Sequence, residues 1–317
     1  MKFQNKKIAF YTATDKNTGS TRIRVYDIAD ELIKRGYNVS INENLKEADI
    51  IVFQKSIYNC LKKKFFRFMR SDKFIVFDID DLYTDKHLYL IFNSDFVITS
   101  CQYMKEQYLK YNNNIGVLGC TPDVIDEDMP LGQYNLSNPK IGWFGTLTNY
   151  EILKSKNING VTAITKGGDI EWSLDTVDKN IQKFDLIVLP QLKNPAGLAK
   201  DNCRMLKTLY LGIPALVSDI PEYVRLAEFL DYPKDFIVKD NEDWNEKIEK
   251  IKSGEIKFDF DFVECRKKIK ETYGREAIVN QWINIVSNAY KSGNIVRHII
   301  KLIRFYFAKR VKKIFKN

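Results

Sequence analysis

The runs Ile50-Ile51-Val52-Phe53 and Phe74-Ile75-Val76-Phe77 constrain this chain more than any other feature. A strand with one wet face alternates apolar and polar residues. These runs are apolar at every position, so both faces must be covered. Helices supply that cover when strands and helices alternate, and the strands they join are parallel. The same reading gives further strands at 7–12, 38–41, 96–100 and 115–118. A helix is expected over 21–35, with Ile23, Tyr26, Ile28, Leu32 and Ile33 near one face and Gly36 as its stop. The first half therefore reads as a doubly wound α/β domain.

The rhythm breaks at 126–140, where two prolines, a glycine and polar residues follow one another. It then restarts, with strands expected at 140–144, 170–174, 186–190, 215–218 and 236–238, and helices at 202–211, 222–229 and 244–252. Helical patterns at 262–273 and 277–290 close the series. The expected organisation is a first domain over 1–130, a second over 131–273, a closing helix over 274–293 that crosses back to the first domain, and a basic tail over 294–317. Two α/β halves on one linker place a cleft between them, and ligands of such sheets bind at the carboxyl ends of strands.

The net charge of +9 suggests a polyanion partner until its location is considered. The eight lysines and arginines from Asn294 onward, with no acid among them, account for nearly all of it. A nearly neutral body excludes a basic nucleic-acid-binding domain. Five scattered cysteines without a CxxC pair read as reduced thiols, not a disulfide or zinc framework. The start lacks a signal-peptide core and no stretch is long and apolar enough to span a bilayer, so a cytoplasmic location is expected. In the tail, Ile295, Ile299, Leu302, Ile303 and Tyr306 share a helical face, with Arg297, Lys301 and Arg304 opposite. Such a helix lies on an anionic membrane surface, and a solvated tail or a partner-binding helix is the alternative. The segment 61–70, LKKKFFRFMR, is a second candidate contact. Both place the protein peripherally on the inner face of the membrane.

Two stretches carry candidate chemistry. In 194–223, Lys200, Arg204 and Lys207 fall at i, i+4 and i+7, which at about 100° per residue is one narrow stripe on a helix. Cations at the start of a helix that follows a strand-end loop suit a diphosphate, and a solvated basic face is the alternative. In 77–87, Asp78, Asp80, Asp81, Asp85 and His87 follow a strand. Asp80 or Asp81 there can act as general base for an acceptor hydroxyl, with helix capping as the alternative. His87 and, in the first loop, Asp15 are further candidates.

The run from Lys200 through Gly212-Ile213-Pro214 to Glu222 resembles the donor-binding segment of GT-B glycosyltransferases of the group-1, family 4-like class. Gly212, Pro214, Ser218, Asp219, Pro221 and Glu222 match in order. The first loop and helix are similar to that family's, with Gly19, Ser20, Arg22 and Arg24 in place, as are the turn at Gly145 and the closing helices in 271–290. The sequence departs from the family at its Glu-x7-Glu pair, where Ala199 and Lys207 stand instead. The family's Arg and Lys after the second domain's first strand are also missing, with Lys154 and Lys156 nearby.

The resemblance implies a GT-B fold of two Rossmann-like domains facing a cleft. It also implies transfer of a sugar from a nucleotide-diphosphate sugar to a surface-glycan acceptor, lipid-linked or oligosaccharide. On this reading Gly19, Gly145, Lys200, Asn202, Arg204, Lys207 and Ser218 bind the donor, Arg204 also neutralises the departing diphosphate, and Asp80 and Asp81 serve the acceptor. The nucleotide sugar is a substrate, so no cofactor and no metal is expected. The absent Glu pair leaves two alternatives: a non-catalytic membrane-associated subunit of the same fold, and a sugar-nucleotide epimerase.

Overall fold

The computed structural model describes residues 3–55, 68, 72–82 and 85–292. The segment 61–70 lies almost wholly outside these residues and the tail 294–317 entirely so. The described chain forms two compact units. The first is built from residues up to Gly119 together with the helix Arg275–Lys291, and the second runs from Cys120 to Gly274.

The first unit holds a six-stranded sheet in the order β2-β1-β3-β4-β5-β6. Its strands are β1 (Lys7–Tyr11), β2 (Asn38–Ile41), β3 (Ile50–Gln54), β4 (Phe74–Ile79), β5 (Phe96–Thr99) and β6 (Ile115–Val117). Every pairing is parallel. β3 and β4 are buried at every residue, as their unbroken apolar runs require.

Between β1 and β2 the chain is helical over Gly19–Thr21, makes a π-helical turn over Arg22–Tyr26, and continues as an α-helix over Asp27–Lys34. A π turn takes one more residue per hydrogen bond than an α turn. The expected face is corrected at its end, because Ile33 stands about 100° from Leu32 on the α-helical part. Ile28, Ala29 and Leu32 are buried, but Ile33 is 50% exposed.

The second unit holds a five-stranded parallel sheet in the order β11-β10-β9-β7-β8. Its strands are β7 (Ile141–Phe144), β8 (Val161–Ile164), β9 (Leu186–Leu189), β10 (Ala215–Ser218) and β11 (Ile237–Val238). The expected strand at 170–174 is corrected. Edge strand β8 lies earlier in the chain, and Ile170 contributes a single bridge to Ile164.

The first boundary falls earlier than position 130. The segment after Cys120 is tied to the second unit, where the Ile125 N–H donates to Asp178 and the Asp123 carbonyl accepts from Lys207. At Gly212 the φ of +82° and a gap that would leave a Cβ 2.8 Å from the Gly132 nitrogen both demand glycine. Gly212 thus turns the Cys203–Tyr210 helix into β10.

The helix Arg275–Lys291 closes the first unit. Trp282, fully buried, meets Phe10 at 5.7 Å and Phe3 at 6.4 Å between ring centroids, and Tyr290 stands edge-on to Phe74 at 5.4 Å. Arg35 donates to Asn280 and to the Glu276 carbonyl. Emptying a packed indole site costs about 3–5 kcal/mol. Trp282→Ala should therefore lower the stability of the first unit by that amount, read as faster native-state hydrogen exchange in β1 and β3. Exchange in β9 and β10 should stay unchanged.

Candidate functional site

In each sheet the strand order reverses once. The reversals fall between β1 and β3 in the first unit and between β7 and β9 in the second. Chain connections leave such a point toward opposite faces, which opens a crevice at the carboxyl ends of the two strands.

At the second unit's reversal, β7 runs into Gly145 and β9 runs through Pro190 into Gln191. Arg204, on the first turn of the Cys203–Tyr210 helix, reaches across and donates to the Phe144 carbonyl at 3.3 Å. A Cβ on Gly145 would stand 2.8 Å from the Trp143 ring and 3.3 Å from the Arg204 guanidinium, so glycine makes room for the arginine. The Tyr223 hydroxyl lies against the Gln191 side chain near Arg204. Burial pushes the Tyr223 phenol up, with the Arg204 cation pulling the other way, so it stays a neutral hydroxyl.

Several buried polar atoms here have no hydrogen-bond partner. They are Trp143 Nε1, Thr165 Oγ1 and both amide atoms of Gln191, which contacts Tyr223 without a well-formed bond. These residues sit at the carboxyl ends of β7, β8 and β9. Unpaired buried polar atoms are costly, and at a strand-end crevice they are candidates for contact with a polar ligand.

The expected cationic stripe is corrected. Helix Pro195–Leu198 ends before Lys200, and the next helix starts only at Cys203, so Lys200 shares no helix with Arg204. Lys207 turns inward, is 4% exposed, and pairs with Asp178 at 2.7 Å while donating to the Asp123 carbonyl at 2.7 Å. Its charge is therefore matched inside the unit. Asn202 is buried, accepting from Cys120 Sγ and pairing with the Tyr273 hydroxyl. Ser218 Oγ accepts from the Gln191 N–H at 2.8 Å and donates to its carbonyl at 3.3 Å, so it fixes the loop after β9. Of the second-unit residues named from sequence, Arg204 and Gly145 meet directly at the reversal and Ser218 shapes it from behind.

A cavity of about 630 Å³ lies beside β11. Five carboxylates, from Asp219, Glu228, Asp231, Asp235 and Glu242, and three lysines, Lys234, Lys239 and Lys247, line it, and the excess of carboxylates opposes a diphosphate there.

At the first unit's reversal, Gln54 Oε1 accepts from Thr12 Oγ1 at 3.0 Å and Thr21 Oγ1 at 3.3 Å. Gly19 opens the helical segment, and Arg22 turns back to the Lys16 carbonyl at 2.6 Å. Arg24 is buried and holds Asp78 through two hydrogen bonds, the Nη2 to Oδ2 bond being 3.1 Å. Just beyond β4, Lys55 Nζ donates to Asp80 Oδ2 at 3.0 Å and Asp81 Oδ2 at 2.8 Å. Burial disfavours the Lys55 charge, and the two carboxylates outweigh it, so this ammonium is held above the usual lysine range. Among the described residues no cluster of three or more metal-ligating side chains occurs, and no helix is long and apolar enough to cross a membrane.

Sequence reasoning missed Gln54, Lys55, Asp178, Gln191 and Tyr223 as members of these clusters. The two glutamines carried a signal: each is the first polar residue after a buried run, in IIVFQ and LIVLPQ.

No family model matches the sequence, and no curated protein matches it. Solved structures do match the fold. Anabaena Alr3699/HepE, in complex with UDP and glucose, is 12% identical with a TM-score of 0.64, over 90% of this chain and 100% of that one. A glycosyltransferase from Rickettsia africae is 11% identical with a TM-score of 0.61, over 91% and 100%. The α,α-trehalose 6-phosphate synthase of Burkholderia multivorans is 9% identical with a TM-score of 0.54, over 91% and 98%. The fold is GT-B, a pair of Rossmann-like units followed by C-terminal helices.

Removing one partner of a buried ion pair strands the other charge. Lys207→Ala should therefore cost about 3–5 kcal/mol of stability in denaturant unfolding. Arg204→Ala should cost about 1 kcal/mol or less. The reverse ranking would make Arg204 the structural cation.

Proposed function

We propose that this protein is a glycosyltransferase that moves a sugar from a nucleoside-diphosphate sugar to a surface-glycan acceptor carried on lipid. The observation that carries the reading is Arg204 at the β7/β9 reversal, seated over Gly145 among buried polar atoms that lack partners. A guanidinium beside a helix start suits the charge that develops on a departing diphosphate. Lys200 and the first turn of the Cys203–Tyr210 helix assist, and the reaction needs no metal or cofactor. Lys207 is left out because Asp178 already matches its charge.

The complexes of HepE with UDP and with UDP-glucose favour a uridine diphosphate donor. On the acceptor side, Asp80 and Asp81 orient a hydroxyl and take its proton. The basic tail 294–317 and the segment 61–70 hold the protein against an anionic membrane on its inner face, where a lipid-linked acceptor is found. One observation favours the non-catalytic subunit as a second reading: pairing of Lys207 thins the cation set that stands in for the Glu pair.

The test is thermal unfolding with UDP, GDP, CDP or dTDP, repeated with Arg204→Ala. UDP at about one hundred times its Kd should stabilise the wild type by about 2.7 kcal/mol, and the substitution should abolish most of that gain. If no diphosphate stabilises the wild type, the second reading replaces the first.

A further inference from the structure

The chain enters the second unit at Cys120 and leaves it at Gly274. Both ends are fastened to the helix that carries Arg204. Asn202 stands at the start of that helix, where its carbonyl accepts from the Leu206 N–H at 2.9 Å. Asparagine in this position ordinarily caps a helix with its side chain. Here the side chain makes no cap, and Asp201 takes the Cys203 N–H instead, at 3.2 Å.

The Asn202 amide is turned to the two chain ends. Its Oδ1 accepts from Cys120 Sγ at 3.5 Å. Asn202 is 5% exposed and Cys120 2%, so water does not compete for this contact. The Tyr273 hydroxyl, one residue before Gly274, bonds to the same side chain.

Further fastenings run along the helix. On the entry side, Cys203 Sγ donates to the Thr121 carbonyl at 3.5 Å and Lys207 Nζ to the Asp123 carbonyl at 2.7 Å. On the exit side, Arg266 of the helix Phe262–Tyr273 donates to the Tyr210 carbonyl at 2.8 Å and lies over the Tyr210 ring. A closely packed helix held at both ends transmits displacement to whatever it holds. Arg204, two residues from Asn202, bonds a neutral carbonyl at 3.3 Å. A diphosphate offers the guanidinium a charged partner and shorter bonds, so its arrival draws the helix start toward it.

We infer that Asn202 and Tyr273 are positioning residues that carry occupancy of the Arg204 site to both ends of the second unit, the points where the chain joins the first. The inference rests on the glycosyltransferase reading for its ligand, a nucleoside diphosphate. Neither residue touches that ligand; they act through the helix that Arg204 stands on.

The test is hydrogen exchange of the full chain, read by mass spectrometry with and without saturating UDP, in wild type and Tyr273→Phe. The substitution keeps the ring, which meets Phe229 at 5.9 Å between centroids, and removes only the hydroxyl. In wild type, UDP should slow exchange about fivefold or more around Gly145 and Arg204, and also in 120–126 and 270–276. In Tyr273→Phe the response in 270–276 should fall below about twofold, while the responses around Arg204 and in 120–126 stay. Should Tyr273→Phe fail to fold, Cys120→Ala takes its place and should reduce the response in 120–126.

A hydroxyl that only supports the fold would speed exchange in 270–276 equally with and without UDP and leave the response in place, which overturns the inference. Protection around Gly145 and Arg204 with no response at either chain end overturns it as well, and leaves the glycosyltransferase reading standing. UDP that protects no segment overturns that reading, and the inference with it.

Discussion

A parallel strand buried on both faces can offer chemistry in one place, its end. β3, β4, β9 and β10 present no side chain to water along their length, so their polar residues gather at the carboxyl edge. That crowding makes ion pairing compulsory. Arg24 with Asp78 in one unit, and Lys207 with Asp178 in the other, match charges that would be very costly to bury alone. What remains after those pairings is Arg204, Lys55 with its two carboxylates, and the two glutamines.

Both strand-order reversals share a plan. A buried glutamine stands at the end of the inner strand, hydroxyl groups hold its side chain or main chain, and at least one of its amide atoms has no partner. In the first unit Thr12 and Thr21 hold the Gln54 side chain. In the second, Ser218 holds the Gln191 main chain and leaves the side chain to Tyr223. The neighbours differ, with carboxylates paired to Arg24 and Lys55 near Gln54 and the Arg204 guanidinium near Gln191. One architecture thus yields two different charge environments.

The fold was legible where a local pattern carries it. Runs such as IIVF and FIVF declare double-sided burial without reference to any other residue, and the Gly212 turn is set by its own φ and a single close approach. The site was less legible because its logic is non-local. Nothing near Lys207 announces that Asp178 will cancel it, and nothing near Asp80 announces Lys55. The even stripe of three cations required one unbroken helix, and the break between Leu198 and Cys203 dissolves it. β8 escaped notice because its residues, Val-Thr-Ala-Ile, are few and only partly buried at an edge. Ile33 was misplaced because it stands about 100° from Leu32 on the same α-helix, beyond the edge of the buried face.

The first unit is assembled from both ends of the chain, with the second unit inserted between them. A ribosome makes the chain in one direction, so β1 through β6 emerge long before the helix that carries Trp282. Phe3 and Phe10 then wait without their aromatic partner while the whole second unit is synthesised. The second unit, continuous in sequence, holds all its own strands by then and can close first. The first sheet is therefore made before the second unit and completed after it, and its unfinished apolar face must wait through that interval.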